Sequence, residues 1–217
     1  MFYTIRATHG TPAWSSGRLL ASCLFCLVLC ARLSFAGGFD HVVEYDNSGI
    51  WKRSNQQALY YGLIGGEIVG ALWFGGEDRL GKTFWQAIDS SALGGVTNEA
   101  MKHIFTRARP DQGGDPNKWF QGSGHYSFPS GEVTLITAVV TPFMFEYGHD
   151  HPGVYALALL PAYDAIARVK SQAHWQTDVL ASIGLGTLTG YLAHERESPL
   201  ILGVLPHGFM VGLHAKF

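Results

Sequence analysis

Three long uncharged runs limit what this chain can fold into: Val133 to Phe145 is 13 residues, Pro152 to Tyr163 is 12 and Val179 to Ala193 is 15. A helix that crosses a bilayer normally needs about 18 to 20 apolar residues, so each run is too short for a conventional span and long enough for a buried core helix. Polar loops rich in glycine and proline separate them, and no internal repeat is present. The pattern predicts an all-α helical bundle, with helices near 58–76, 94–108, 131–147, 153–169 and 175–194. The Gly-rich stretches GLIGGEIVGALWFGG and ASIGLGTLTG allow close helix packing in a protein core or in lipid, which leaves membrane association open. In the C-terminal PLILGVLPHGFMVGLHAKF, two apolar stretches flank Pro206-His207-Gly208, which predicts a short β-hairpin or a tail over 199–217.

The N-terminus reads as an export signal over residues 1–36. Arg18 precedes the apolar run Leu19 to Cys30, and Ser34-Phe35-Ala36 closes it with cleavage expected after Ala36. An uncleaved anchor is the alternative, although the run is short and Arg32 interrupts it. Cys23, Cys26 and Cys30 all lie in this segment, so the exported chain would have no disulfide, zinc thiolate or cysteine nucleophile. Residues 37–198 would then form the helical domain, in the periplasm or against a membrane of the cell envelope. A formal net charge of −2 supplies no basic field and argues against a nucleic-acid partner.

Three polar clusters carry chemistry. In KHIFTRARP, Lys102 and Arg109 stand seven apart, about two helical turns, and share a stripe before Pro110 stops the helix. Alone, such a pair also fits a solvated face or a complement to the helix dipole. In YSFPSGEV, a Pro-Ser-Gly turn opens an apolar helix, whose free N–H groups and positive dipole end suit a phosphate-like anion. Ser130 could donate from its hydroxyl and Gly131 from its backbone, or Ser130 could be a plain N-cap. In ARVKSQAHWQTDV, His174 and Asp178 stand four apart, and a carboxylate bonded to one imidazole nitrogen would leave the other free to attack an electrophile. An ordinary core hydrogen bond fits that pair equally. Lys170-Ser171-Gln172 should break the helix and turn Arg168 back toward the imidazole.

Together, K-x6-R-P, P-S-G and R-x5-H-x3-D, in this order over roughly residues 60–195, resemble the phosphatidic acid phosphatase type 2 (PAP2) / vanadium haloperoxidase superfamily. The resemblance implies a helical bundle that gathers the three segments around one phosphate or vanadate. Lys102, Arg109 and Arg168 would hold the phosphoryl oxygens, with hydrogen bonds added by Ser130 and Gly131. His174 would be the nucleophile that forms a phosphohistidine, and Asp178 would orient it. The implied activity is a phosphatase without metal or other cofactor, acting on a phosphorylated small molecule or a lipid or isoprenoid phosphate or diphosphate of the envelope.

Two positions depart from the family pattern. Ala167 stands where a serine is usual, which removes one hydrogen bond. Glu132 stands where P-S-G-H has the histidine that protonates the leaving alkoxide. Glu132 is expected either to substitute as the general acid, kept protonated by burial and by repulsion from the phosphate, or to be a first-turn helix residue in a weak or silent protein that binds anionic headgroups. His125 is an alternative acid, and His103 points about 100° away from Lys102 and reads as structural. The missing histidine weighs against a haloperoxidase. A metal site built on His149-Asp150-His151 or on His174/Asp178 lacks a full ligand set.

Overall fold

A computed structural model describes residues 38–196 and the backbone of two short strands, 203–205 and 208–210. Five α-helices build the molecule: α1 (Arg53–Phe74), α2 (Arg79–Phe105), α3 (Gly131–Tyr147), α4 (Leu159–Lys170) and α5 (Gln176–His194). Short 3-10 turns at Gly49–Trp51, Pro110–Gln112 and Pro152–Ala158 connect or precede them. Beyond α5, β1 (Gly203–Leu205) and β2 (Gly208–Met210) pair antiparallel, with Gly203 opposite Met210 and Leu205 opposite Gly208. The expected export segment lies outside the described residues.

The helix boundaries differ from expectation at two places for local reasons. The polar helix expected over 94–108 is the second half of α2, which starts where the Asp78 carboxylate accepts from the Gly81 amide at 2.6 Å. It ends at Phe105, because Thr106 turns left-handed at φ 33°. Lys102 and Arg109 therefore do not share one helical stripe; Arg109 lies on the extended segment beyond the helix. The second difference is the helix expected over 153–169, which splits into the 3-10 turn and α4.

α3 is the axis of the bundle and packs against α2 and α5. Its contacts are made with small and polar side chains. Thr134, Thr137 and Thr141 are buried and bond back to the carbonyls of Ser130, Val133 and Thr137 at 2.8, 2.7 and 2.7 Å. Gly186 on α5 faces them so closely that a Cβ there would stand 2.5 Å from the Thr134 carbonyl oxygen and 2.6 Å from Thr137 Cβ. The ASIGLGTLTG stretch thus brings two helix backbones together around the N-terminus of α3, the point on which the three polar clusters converge.

Candidate active site

A cavity of about 700 Å³ opens beside the first turn of α3. Its lining includes Lys102, Arg109, Gly131, Glu132, Arg168 and His174, together with Arg53, Tyr60, Tyr61 and Glu99. Four stretches that are remote in sequence thus meet at one hollow, which is of the size that small-molecule sites occupy.

Each expected phosphate ligand has a defined local origin. Gly131 opens α3, where the first amides have no helical acceptor. A Cβ at that position would lie 3.2 Å from Lys102 Nζ, so glycine lets the ammonium approach the helix end. Burial lowers the proton affinity of Lys102, and the neighbouring Arg109 and Arg168 lower it further, against the pull of Glu99. Arg168 sits near the end of α4, which breaks at Ser171 and Gln172 as expected, Gln172 taking φ 53°. Its Nη1 donates to Gln56 Oε1 at 3.3 Å, while its buried Nε has no partner among the described residues. Ser130 is fully buried; its amide donates to Ser182 Oγ at 2.7 Å and its hydroxyl is unpartnered. Among the described residues two buried donors thus stand unused, one on Arg168, which lines the cavity, and one on Ser130, which does not line it but precedes Gly131, which does.

His174 precedes α5 rather than sharing a helical face with Asp178. Its Nδ1 lies 2.6 Å from the Ser127 carbonyl oxygen, which can only accept, so Nδ1 carries the proton and Nε2 keeps its lone pair. The expected direct bond to Asp178 is corrected: Nδ1 and Asp178 Oδ2 stand 3.9 Å apart. Asp178 Oδ2 instead accepts from Ser127 Oγ at 2.5 Å and from the Trp175 amide at 2.9 Å. It therefore positions the loop that holds the ring. Burial lowers the His174 pKa well below its ordinary value, and the charges of Arg168 and Arg109 reinforce the shift against the Ser127 bond. The ring is neutral and fixed in one tautomer.

Arg107, which the motif pattern does not single out, ties these segments together. Fully buried, it donates to Asp178 Oδ1 at 2.5 Å, to Thr177 Oγ1 at 2.9 Å and to Asp40 Oδ2 at 2.7 Å, and it lies 4.3 Å over the Trp119 ring. Trp175 Nε1 adds a bond to the Ala108 carbonyl at 2.8 Å, which fixes the Arg109 strand against the His174 turn.

Glu132 lines the cavity, where its surroundings favour the charged carboxylate over the protonated acid. Burial alone would raise its pKa; the Arg53 hydrogen bonds and the charges of Arg168, Arg53 and Lys102 outweigh that and hold it below the ordinary carboxylate value. Both carboxylate oxygens accept from Arg53, the Nη1 to Oε2 bond at 2.6 Å. His125 does not line the cavity. His103 pairs with Glu99 at 3.2 Å and its ring lies tilted against that of Tyr126, in keeping with a structural role. Arg53 itself sits on α1, outside the motif segments; only its Arg-x-x-Gln spacing to Gln56, one helical turn, could have drawn attention to it.

Comparison with known proteins follows the same lines. The sequence model of the PAP2 superfamily matches residues 83–198. Over 110 residues, 50% of this chain, the sequence is 33% identical to the lipid A 1-phosphatase of Porphyromonas gingivalis and covers 22% of that protein. The chain spans about a fifth of the length of that curated relative. A crystal structure of a transmembrane PAP2 type phosphatidylglycerolphosphate phosphatase from Bacillus subtilis shares the fold, with a TM-score of 0.54 at 19% identity over 83% of this chain and 94% of that one. The family match covers more than half of the chain and contains all three motif segments, so the chain belongs to the PAP2 superfamily.

Proposed function

We propose that the protein is a lipid-phosphate phosphatase that works through a phosphohistidine at His174. The convergence of Lys102, Arg109, Arg168 and a neutral His174 on one cavity carries the reading. The His174 Nε2 lone pair attacks phosphorus in line and the opposite P–O bond to the lipid breaks, its electron pair leaving on the lipid oxygen, while the three cations, the Ser130 hydroxyl and the Gly131 amide hold the equatorial oxygens. Phosphoryl transfer depends mainly on such positioning and charge stabilisation. Water then opens the N–P bond, releasing phosphate and restoring the ring. Asp178 acts by positioning, through Ser127 and the Trp175 amide.

Two observations favour a lipid substrate. The relatives are named for phosphorylated lipids, lipid A and phosphatidylglycerolphosphate. The helices that wall the cavity also carry apolar side chains on their outer faces: Ile68, Val69 and Leu72 on α1, and Val96 and Ile104 on α2, are all exposed. An apolar surface of this kind next to a polar site suits a ligand with an apolar tail. An exported, envelope-facing enzyme fits both the expected leader and this substrate class.

The test is single-turnover chemistry with a radiolabelled lipid phosphate. Wild type should yield an acid-labile, alkali-stable phosphoryl-enzyme on His174, vanadate should compete with substrate, and turnover should survive a chelator. His174→Ala should abolish both label and turnover. An unlabelled wild type, or a fully active His174→Ala variant, refutes the reading.

A further inference from the structure

The cavity holds a cation from outside the motif segments. Beyond the cations that the motif supplies, Arg53 enters from the first turn of α1 with its side chain about a third exposed, at 35%. Its position is fixed on two sides. Glu132 takes both ends of the guanidinium, and Gln56 Oε1 accepts from Arg53 Nη1 at 3.1 Å. The same Gln56 oxygen accepts from Arg168 Nη1 at 3.3 Å, and Gln56 is fully buried. One amide oxygen thus sets the spacing between a motif arginine and an arginine outside the motif. Asp164 lies one helical turn before Arg168, fully buried with both carboxyl oxygens unpartnered among the described residues. Burial and the Glu132 charge raise its pKa to about 7, so it offsets the cavity cations only weakly at neutral pH.

The chemistry of the leaving group decides what this arrangement suits. A carboxylate clamped by an arginine has no proton to give, so the oxygen that departs opposite His174 must leave without one from Glu132. For an alkoxide, about as basic as hydroxide, that is a severe handicap. For a phosphate monoester, whose second pKa is about 6, it is none. Such a leaving group carries its own negative charge, and the Nε edge of the Arg53 guanidinium, which neither Glu132 nor Gln56 engages, is shaped to receive it.

We propose that Arg53 binds the departing phosphate of a diphosphate ester, so that this site is selective for phosphoanhydrides over simple phosphomonoesters. The inference rests on the phosphatase reading above. His174 Nε2 forms a bond to the terminal phosphorus while the bridging P–O bond breaks, and its electron pair leaves on the monophosphate product, paired with Arg53. Water next attacks the phosphohistidine. Its oxygen joins phosphorus, its protons remain on the dihydrogen phosphate formed, and the N–P electron pair returns to Nε2. Glu132 and Gln56 are positioning residues that present the guanidinium.

The test compares kcat/KM for farnesyl diphosphate and farnesyl phosphate in wild type, Arg53→Met, Arg53→Lys and the double variant Arg53→Met/Glu132→Gln, which leaves no orphan carboxylate. Wild type should prefer the diphosphate, and that preference should fall about 10- to 100-fold when Arg53 is lost, the worth of one hydrogen-bonded charge contact. Arg53→Lys, which keeps the charge but not the fork, should fall between. Calorimetry adds a readout independent of turnover: wild type should bind inorganic pyrophosphate more tightly than orthophosphate, and both Arg53→Met proteins should lose that advantage. An unchanged substrate ratio, or a wild type that binds the two anions equally, overturns the Arg53 assignment while His174 labelling still stands. Absent labelling with intact pyrophosphate selectivity would instead remove the phosphatase reading and leave an anion-binding subsite.

Discussion

At the scale of single residues, the state of His174 is set by what surrounds it rather than by a carboxylate partner. Its native pKa is pushed far below 6.5 by burial and by Arg168 and Arg109, so the neutral ring persists into acid solution. The acid limb of kcat/KM should therefore lie below the ordinary histidine range. Linkage gives a matching stability effect. Between the depressed native value and 6.5, the unfolded chain holds a proton that the native chain does not. Stability is complete above this window and falls as pH drops through it. Urea titrations at pH 7.5 and 5.5 should show a smaller loss on acidification for His174→Asn than for wild type. Motif spacing pointed to this histidine, and it lines the cavity. What spacing could not reveal was the Ser127 carbonyl as its partner, because that bond depends on a backbone path between residues 127 and 174. Glu132 was ambiguous for a similar reason: its partner, Arg53, is 79 positions away.

Among the elements, the approach of α3 and α5 decides how accurately the anion-binding turn is held. Gly186 leaves no room for a methyl group beside Thr137 and the Thr134 carbonyl. Gly186→Ala should lower stability by about 1 to 3 kcal/mol, the usual range for overpacking, measured as a fall in urea midpoint with an unchanged m-value. Helix content was legible from apolar run lengths and turn residues, and the glycine-rich stretch foretold close packing. Helix ends were harder. KHIFTRARP reads as helical up to Pro110, yet Thr106 takes a left-handed conformation and the segment beyond bonds to residues 118 and 127. Tertiary hydrogen bonding overrode local propensity there, and it delivers Arg107 inward and Arg109 to the cavity.

For the molecule as a whole, no described helix is long and apolar enough to cross a membrane, yet α1 exposes Val69, Leu72 and Trp73 at 63, 70 and 82%. Charged residues frame this patch at the ends of the helix, Arg53 on one side and Glu77 to Arg79 on the other. A face of that composition suits the boundary between headgroups and acyl chains. The purified protein should co-sediment with anionic phospholipid vesicles, and Leu72→Ser/Trp73→Ser should weaken partitioning at least about tenfold, from the apolar area no longer buried. The tie at Arg107 has a different reach. Asp40, Arg107 and Asp178 share one dry ionic knot drawn from three distant parts of the chain. Losing Arg107 would strand two buried carboxylates in the interior. Over evolutionary time, a lineage that replaces the arginine of this knot should be found to have replaced both of its carboxylates.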